Sequence, residues 1–365
     1  MNAITLPFYR RPLSCHYRPL ILAITAATLF SVFWFLSRYP QLLEKSRHLG
    51  EVLPSMAFSH EALHVDANAS AWRRILAGAI NWFDSMKLGM SFGVLLGALL
   101  HTFLRYFPLK IGDNLYLNSL KGALVGIPAG ICANCSVPTA CGMTRGHGRV
   151  EVALGFLFSS PNFNPVVIMM TFTALPLNMA LTKYAVLVLI IIGVVPALIA
   201  WLERDKPLTI LTTNEESTAC FLPASNDCTE TFGAVLKELA TDYAKNVWML
   251  AKPTLTLMVL ASIMSAALLT LLPWQELLSH ATPLRLALVS LVSVFMPVPI
   301  ALDVMFASQL YQQGVANGYV MLFAMTLGTY SIIPTIYLWR EVSKPLSIIL
   351  FAIFLVIGWG MGLMF

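Results

Sequence analysis

The chain alternates between long apolar stretches and shorter polar ones. A helix that spans a bilayer needs about 20 mostly apolar residues, and seven stretches satisfy this: 19–38, 86–107, 151–175, 179–202, 246–273, 318–339 and 345–365. Two further apolar stretches, 115–143 and 284–312, are interrupted by proline and glycine. The pattern predicts an all-α integral membrane protein, a polytopic helical bundle of about seven to nine transmembrane segments.

Polar stretches divide this bundle. Residues 203–245 form a polar central loop, which separates an N-terminal transmembrane half (1–202) from a C-terminal half (246–365). Residues 39–85 have a mixed pattern that predicts a loop with room for a short amphipathic helix. The first apolar run is longer than a signal-peptide core and lacks a clear cleavage site, so we predict a retained transmembrane helix.

Composition excludes a soluble protein. Hydrophobic residues make up 58% of the 365 residues and charged residues only 11%, against about 25% charged in soluble domains. Such a chain cannot cover a water-facing surface, so membrane lipid is its predicted partner. The formal net charge is +5. The chain contains no run of basic residues interleaved with aromatic ones, which argues against nucleic-acid binding.

The two interrupted stretches resemble each other. An ungapped offset of 169 residues aligns Pro128 with Pro297, Asn134 with Asp303, and Pro165 with Pro334. The alternative is chance, because few residues are identical. If the duplication is real, the bundle contains two pseudo-repeats with broken or re-entrant helices, which is typical of transporters whose site lies between discontinuous helices near the midplane.

Two topologies follow from the interrupted stretches. If both cross the membrane, the basic residues of 38–87, 145–149 and 203–252 all lie outside, against the positive-inside tendency. If both are re-entrant, the N-terminus, the central loop, Arg145 and Arg149 lie in the cytoplasm, and the two copies are inverted. The re-entrant scheme agrees better with the distribution of basic residues.

Three cysteines lie close together in the first interrupted stretch. Cys132 and Cys135 are three residues apart, so they would share one face of a helix. Pro138 is predicted to break that helix, and Cys141 could then fold back toward the pair. Soft thiols in a membrane suit a thiophilic solute, although buried cysteines also serve as small hydrophobes. No fourth ligand for a structural zinc site lies nearby, so no metal site is predicted.

Polar groups inside the apolar stretches complete the predicted substrate site. An acid at membrane depth is a functional candidate by default, and we predict that Asp303 carries a coupling proton or binds a cationic part of the substrate. A packing role in its neutral form is the alternative. The other predicted substrate-binding residues flank the proline interruptions: Asn134, Ser160, Pro161, Asn162, Asn164, Pro297, Thr329 and Ser331.

Three motifs carry a family resemblance: residues 126–138 (GIPAGICANCSVP), 145–148 (RGHG) and 154–165 (LGFLFSSPNFNP). They resemble the predicted permease family that includes the ArsP organoarsenical efflux permeases. Where that family usually has Pro-x-Cys-Ser-Cys, this chain has one more residue between Cys132 and Cys135. The resemblance implies a multi-pass permease of a bacterial-type inner membrane, which exports a small, thiophilic solute such as a trivalent organoarsenical.

The sequence predicts no enzyme and no cofactor. It contains no G-x-x-x-x-G-K-[ST] motif and no clustered carboxylates. An H-E-x-x-H match at 60–64 lies in the mixed loop 39–85, and a G-x-S-x-G match at 89–93 lies inside the apolar stretch 86–107 rather than at a strand-to-helix turn. The alternative to a permease is a channel, or a factor that delivers a metal or assists assembly without coupled transport. The oligomeric state is left open.

Overall fold

The computed structural model describes residues 17–47, 63, 65, 69–107, 112–146, 149–204 and 231–365. Within these ranges the chain is helical and contains no strand. The N-terminal half holds α1 (Tyr17–Phe33), α2 (Tyr39–Arg47), α3 (Ala71–Tyr106), α4 (Leu115–Ala129), α5 (Ala133–Arg145), α6 (Val150–Asn162), α7 (Pro165–Ala174), α8 (Leu177–Val188) and α9 (Val195–Leu202). The C-terminal half holds α10 (Phe232–Leu271), α11 (Trp274–Leu278), α12 (Pro283–Phe295), α13 (Leu302–Gln312), α14 (Asn317–Thr326), α15 (Ile332–Tyr337) and α16 (Lys344–Met364).

Five helices in the described ranges are long and apolar enough to cross a membrane. They are Tyr17–Glu44, Ala71–Tyr106, Leu177–Leu202, Phe232–Leu271 and Lys344–Met364. Two of them run through π-helical turns, at Trp34–Arg38 and Leu189–Val194. Helices α6 and α7 would provide a sixth crossing, bent by 49°. The prediction of a helical membrane protein is therefore confirmed.

Two helices begin about four turns earlier than the hydropathy pattern predicts. Helix α3 starts at Ala71 rather than near 86, and α10 starts at Phe232 rather than near 246. At about 1.5 Å per residue both exceed the ~30 Å apolar layer of a bilayer. Their first turns are amphipathic, with Ala77 and Val235 buried and with charged side chains exposed. Hydropathy averaged over a window of residues is low across such turns, so the average places the start of the helix too late.

One end of the bundle collects charged contacts; we call it the charged end. Arg18 at the start of α1 binds Glu238 at 2.8 Å, and the Tyr106 hydroxyl at the end of α3 donates to Asp242 at 2.6 Å. At the end of α5, Arg145 binds Glu341 through two hydrogen bonds of 2.7 Å. A Cβ on Gly146 would lie 3.2 Å from the His101 Cα of α3, so α3 and α5 end together.

Both interrupted apolar stretches are broken, as predicted. Residues 130–132 separate α4 from α5, and residues 296–301 separate α12 from α13. Each break contains a residue with left-handed backbone, Gly130 at φ 59° and Ala301 at φ 65°. We call 130–132 the first tip and 296–301 the second tip.

In each half a second break lies further along the chain, between α6 and α7 and between α14 and α15. Helix α6 ends at Asn162 and α7 begins at Pro165, where the Asn164 side chain caps α7 by accepting from the Val166 N–H at 2.9 Å. Residues 327–331 separate α14 from α15, with Ser331 as the N-cap. Proline and side-chain caps at these positions satisfy or remove the backbone groups that a break would expose.

The predicted break at Pro138 is wrong. Helix α5 runs through it without interruption, from Ala133 to Arg145. Pro138 packs against α3, because a Cβ on Gly97 would lie only 2.3 Å from the Pro138 carbonyl oxygen. The close contact with α3 holds the helix together although the Asn134 carbonyl loses its helical N–H donor.

Candidate functional site

Asn134, in the first turn after the first tip, joins the two halves of the chain. Its amide nitrogen donates to the Val298 carbonyl in the second tip at 3.2 Å. Its amide oxygen accepts from the Ser331 hydroxyl at 2.6 Å. A third bond crosses between the halves where Thr329 donates to the Asn162 side chain at 3.3 Å. Buried hydrogen bonds therefore link the two tips, the α6–α7 break and the α14–α15 break.

Backbone groups of the tips are also satisfied by buried side chains. The Pro297 carbonyl accepts from the Trp82 indole at 2.8 Å and from the Ser265 hydroxyl at 3.4 Å. The Ile131 N–H donates to the Ser160 hydroxyl at 3.2 Å. Irregular backbone inside a membrane protein needs such internal partners, so these contacts are what allow two non-helical tips to lie in the interior.

Asp303 has a partner that we did not predict from the sequence. Its carboxylate lies 2.7 Å from the Lys183 ammonium of α8, and the two side chains are 3% and 0% exposed. Asp303 is also in the first turn of α13, where the helix dipole favours a negative charge. A Cβ on Gly328 would lie 2.5 Å from the carboxylate carbon, so the absence of a side chain at 328 makes room for the pair.

Lys183 is connected to the α6–α7 break through its neighbour. The Tyr184 hydroxyl lies 3.3 Å from the Asn162 carbonyl oxygen and 3.1 Å from the Thr171 hydroxyl. The ion pair and the hydrogen-bonded cluster are therefore parts of one buried polar region. In the sequence, the signal for Lys183 is that it is the sole charged residue within the apolar stretch 179–202.

The sulfur atoms form a separate group beside the first tip. Cys132 and Cys135 are joined by a disulfide. The Met86 sulfur of α3 lies 3.7 Å from the Cys132 sulfur and 3.9 Å from that of Cys135. Cys132 is also the N-cap of α5, since its sulfur accepts from the Cys135 N–H at 3.0 Å.

Cys141 does not join this pair, contrary to our prediction. It lies six residues after Cys135 on the continuous helix α5, about 9 Å further along the axis. It is a buried free thiol whose electrostatic neighbours are Glu341, Arg145 and Tyr337 at the charged end. Because Pro138 does not break α5, nothing turns Cys141 back toward the tip.

The predicted site residues are all buried, and most of them lie in the two groups just described. The structure brings together, in the hydrogen-bonded region and the sulfur group, Cys132, Cys135, Asn134, Ser160, Asn162, Pro297, Asp303, Thr329 and Ser331. Asn164 lies close to the first tip, with its amide nitrogen 2.5 Å from a Cβ built on Gly130. Pro161 is in the last turn of α6. Pro138 and Cys141 lie outside these groups.

A groove of about 470 Å³ lies on another part of the bundle, lined by residues of α10, by Ile336 and by Arg340. Among the described residues, no three His, Cys, Asp or Glu side chains are arranged to hold a metal ion. The buried region thus combines amide, hydroxyl and sulfur groups with the Lys183–Asp303 ion pair.

Comparison with known proteins assigns the chain to a family. A family model described as a predicted permease matches residues 75–361, which include both tips and both broken helices. The chain belongs to the ArsP family of predicted permeases. Together with the apolar helices, this family membership makes it a multi-pass membrane protein of the transporter type.

A curated relative supports the same assignment. The chain is 21% identical over 284 residues to UPF0718 protein YraQ of Escherichia coli K12, and the match covers 77% of each protein. No solved structure matches the chain significantly.

Proposed function

We propose that this ArsP-family protein is a secondary-active permease that exports a small, thiophilic solute, such as a trivalent organoarsenical, from the cytoplasm. The observation that carries the proposal is the meeting of the two tips at Asn134, which bonds Val298 and Ser331. Non-helical backbone at membrane depth is tolerated where protein buries it or where it lines a cavity, and discontinuous helices form the substrate sites of many transporters.

We further propose that the two halves are inverted repeats. Helix α5 begins at Ala133 and α13 at Leu302, which are related by the offset of 169 residues found in the sequence. Asn134 and Asp303 are consequently both the second residue of their helices. Helix α4 starts near the charged end, whereas Tyr319 at the start of α14 contacts Leu277 beside α12 at the other end. Two re-entrant hairpins that enter from opposite faces account for these contacts.

In this arrangement the charged end faces the cytoplasm. Arg18, Arg105, Arg145 and Arg149 lie there, as the positive-inside tendency requires. The central loop between Leu202 and Phe232 then also lies in the cytoplasm, because α10 starts at the charged end. Export would carry the solute from this end, past the tips, to the opposite face.

The sulfur pair is proposed to bind the soft atom of the solute. Only the reduced form can do so, because a disulfide has no thiolate to offer. An external dithiol would reduce Cys132 and Cys135 by thiol–disulfide exchange and become a disulfide itself. The two thiols would then replace the oxygen ligands of one trivalent arsenic: two As–S bonds form, the As–O bonds break, and the oxygen leaves as water with the thiol protons. Met86 is a further soft neighbour. The amides and hydroxyls around Asn134 and Asn162 would hold the polar remainder.

Asp303 and Lys183 are proposed to couple transport to protons. While the pair is intact, each ion compensates the charge of the other in a dry interior. A proton on Asp303 would release Lys183 and unlock the contact between α8 and α13. We expect Asp303→Asn to transport, if at all, without dependence on an imposed pH gradient. Unchanged rate and pH dependence in this variant would remove the coupling role.

Flux into proteoliposomes tests the proposed function. The reduced protein is reconstituted, and uptake of a trivalent organoarsenical is followed with and without a pH gradient. A saturable rate that the gradient accelerates supports a permease. Flux that does not saturate would indicate a channel, and binding without flux would indicate a delivery or assembly factor.

The sulfur pair has its own test in cells. Cys132→Ser combined with Cys135→Ser should abolish resistance to trivalent organoarsenicals while the protein remains inserted in the membrane. Cys141→Ser is the matched control, because this third cysteine of α5 lies away from the pair. Equal resistance in the double variant and the control would defeat the proposed role of the pair.

A further inference from the structure

Arg38 is a buried cation with no role in the proposed function so far. It lies in the π-helical turn after α1, within the candidate span Tyr17–Glu44, and is only 5% exposed. Its guanidinium packs over the Phe33 ring at 4.9 Å. A charged side chain at such a depth is costly unless it is paired, so it marks a functional position.

No acidic side chain in the described part of the chain pairs with Arg38. The guanidinium Nε has no hydrogen-bond partner among the described residues, and none of their carboxylates lies within salt-bridge distance of it. This contrasts with Lys183, which is equally buried and has Asp303. A guanidinium offers five N–H donors in a planar fork that suits a carboxylate or phosphate-like group. Arg38 is therefore equipped for an anion that the described chain does not provide.

The free guanidinium points toward the sulfur pair. A Cβ on Gly89 of α3 would lie 3.1 Å from the Arg38 Nη2 and 3.0 Å from the Cys135 sulfur. Both groups thus reach the same point on α3, where Gly89 contributes no side chain. One molecule with a soft atom on the cysteines could present a negative group to Arg38 at the same time.

We propose that Arg38 forms an anion subsite, so that the preferred solute carries both a trivalent thiophilic centre and a negatively charged organic group. This inference rests on the proposed function and names the class of its substrate. The sulfur pair would ligate the soft centre, while the guanidinium fork of Arg38 would bind the acid group through charge-assisted hydrogen bonds. Neutral thiophilic solutes would bind through the sulfurs alone.

Two probes that differ by one acid group test the proposal. Binding of phenylarsine oxide and of 4-carboxyphenylarsine oxide is measured by calorimetry on the full-length, reduced protein in nanodiscs. The wild type should bind the carboxylated probe more tightly. Arg38→Gln should lower the affinity for the carboxylated probe about tenfold or more, which is the loss expected for a charge-assisted hydrogen bond. The same variant should change binding of phenylarsine oxide by less than about twofold.

Two further variants separate binding from folding and from net charge. Arg38→Lys keeps the charge without the fork and should retain an intermediate preference for the carboxylated probe. Arg73→Gln removes an exposed arginine at the start of α3 and should leave both affinities unchanged. A parallel titration is carried out at a lower concentration of sodium chloride, to detect a free inorganic anion at Arg38.

Each of the remaining outcomes overturns the proposal. If Arg38→Gln lowers the affinity for both probes equally, Arg38 positions the cysteines or contributes to packing and does not bind an anion. Equal affinity of the wild type for the two probes, with a dependence on chloride, would mean that the subsite holds an inorganic ion. Failure of phenylarsine oxide itself to bind the wild type would instead reject the thiophilic site of the proposed function, and the subsite with it.

Discussion

The first and second tips use a similar backbone arrangement for different chemistry. Each contains one left-handed residue, Gly130 or Ala301, and each is followed by a helix whose second residue is polar. In the first, that residue is the neutral Asn134, beside the sulfur pair. In the second, it is Asp303, which is ionically paired with Lys183. The first tip therefore presents sulfur and an amide, and the second tip presents a carboxylate whose counter-ion, Lys183, comes from the N-terminal half.

Removing the charge at the second tip should have the largest effect. Asp303→Asn leaves the Lys183 ammonium buried without a counter-ion, and we expect a loss of about 3–5 kcal/mol in the free energy of unfolding. Adding Lys183→Met should restore most of that loss. Denaturant titration in mixed micelles measures both.

An exposed ion pair is the matched control for this cycle. Lys87 binds Asp84 on the surface of α3, and the same two types of substitution there should cost less than about 1 kcal/mol. If the single variants at Lys183 and Asp303 lower the free energy of unfolding no more than this control does, the Lys183–Asp303 pair does not stabilise the fold.

Gly130→Ala at the first tip should have the next largest effect. The left-handed backbone disfavours any Cβ, and this one would lie 2.5 Å from the Asn164 amide nitrogen and 2.7 Å from the Trp34 ring. We expect a loss of about 2–4 kcal/mol in the free energy of unfolding. Gly360→Ala in α16, where a Cβ meets nothing within 4 Å, is the control and should not destabilise.

Asn134→Ala should weaken the contact between the halves. It removes two buried hydrogen bonds and leaves the Ser331 hydroxyl without its acceptor, for a loss of about 1–3 kcal/mol in the same titration. Asn178→Ala, at an exposed position of α8, should change stability little. Equal effects of the two substitutions would contradict the role of Asn134 as a link.

Ala301→Gly should have the smallest effect. Relief of the left-handed backbone, worth about 1–2 kcal/mol, is offset by the lost methyl contact and by the greater freedom of glycine in the unfolded chain. We expect a net change of about 1 kcal/mol or less in the free energy of unfolding. A much larger loss would show that the second tip depends on its side chain rather than on its backbone.

The sequence predicted the interruptions well because their causes are local. Proline and glycine at 128–130, 161–165 and 297–299 act on the residues beside them, and a break follows in each case. Pro138 is the exception, since its effect depends on the distant Gly97, which lets α5 pack closely on α3. The hydropathy pattern also places the starts of α3 and α10 too late, because the first turns of these helices are amphipathic and are buried only against other helices.

The candidate site was predicted in part. Asn134, Asp303, Ser331 and their neighbours were found because polar groups in apolar stretches need partners. Lys183 was missed although it is polar in an apolar stretch, because long basic side chains commonly reach the membrane surface. Its burial depends on Asp303, 120 residues away in sequence. Arg38 is the last residue of the predicted apolar stretch 19–38, and the hydropathy pattern assigns it no role.

The close contact of α3 with α5 limits how the permease can move. Carbonyl oxygens of Cys135, Pro138 and Gly97 lie 2.0–2.3 Å from where Cβ atoms of Gly93, Gly97 and Gly142 would be, so neither helix can slide past the other without collision. The two helices must travel as one rigid body that carries the cysteines with it. Any alternation of access would then have to change the contacts on the opposite side of α5. These are the hydrogen bonds of Asn134 with Val298 and Ser331 and the ion pair of Arg145 with Glu341.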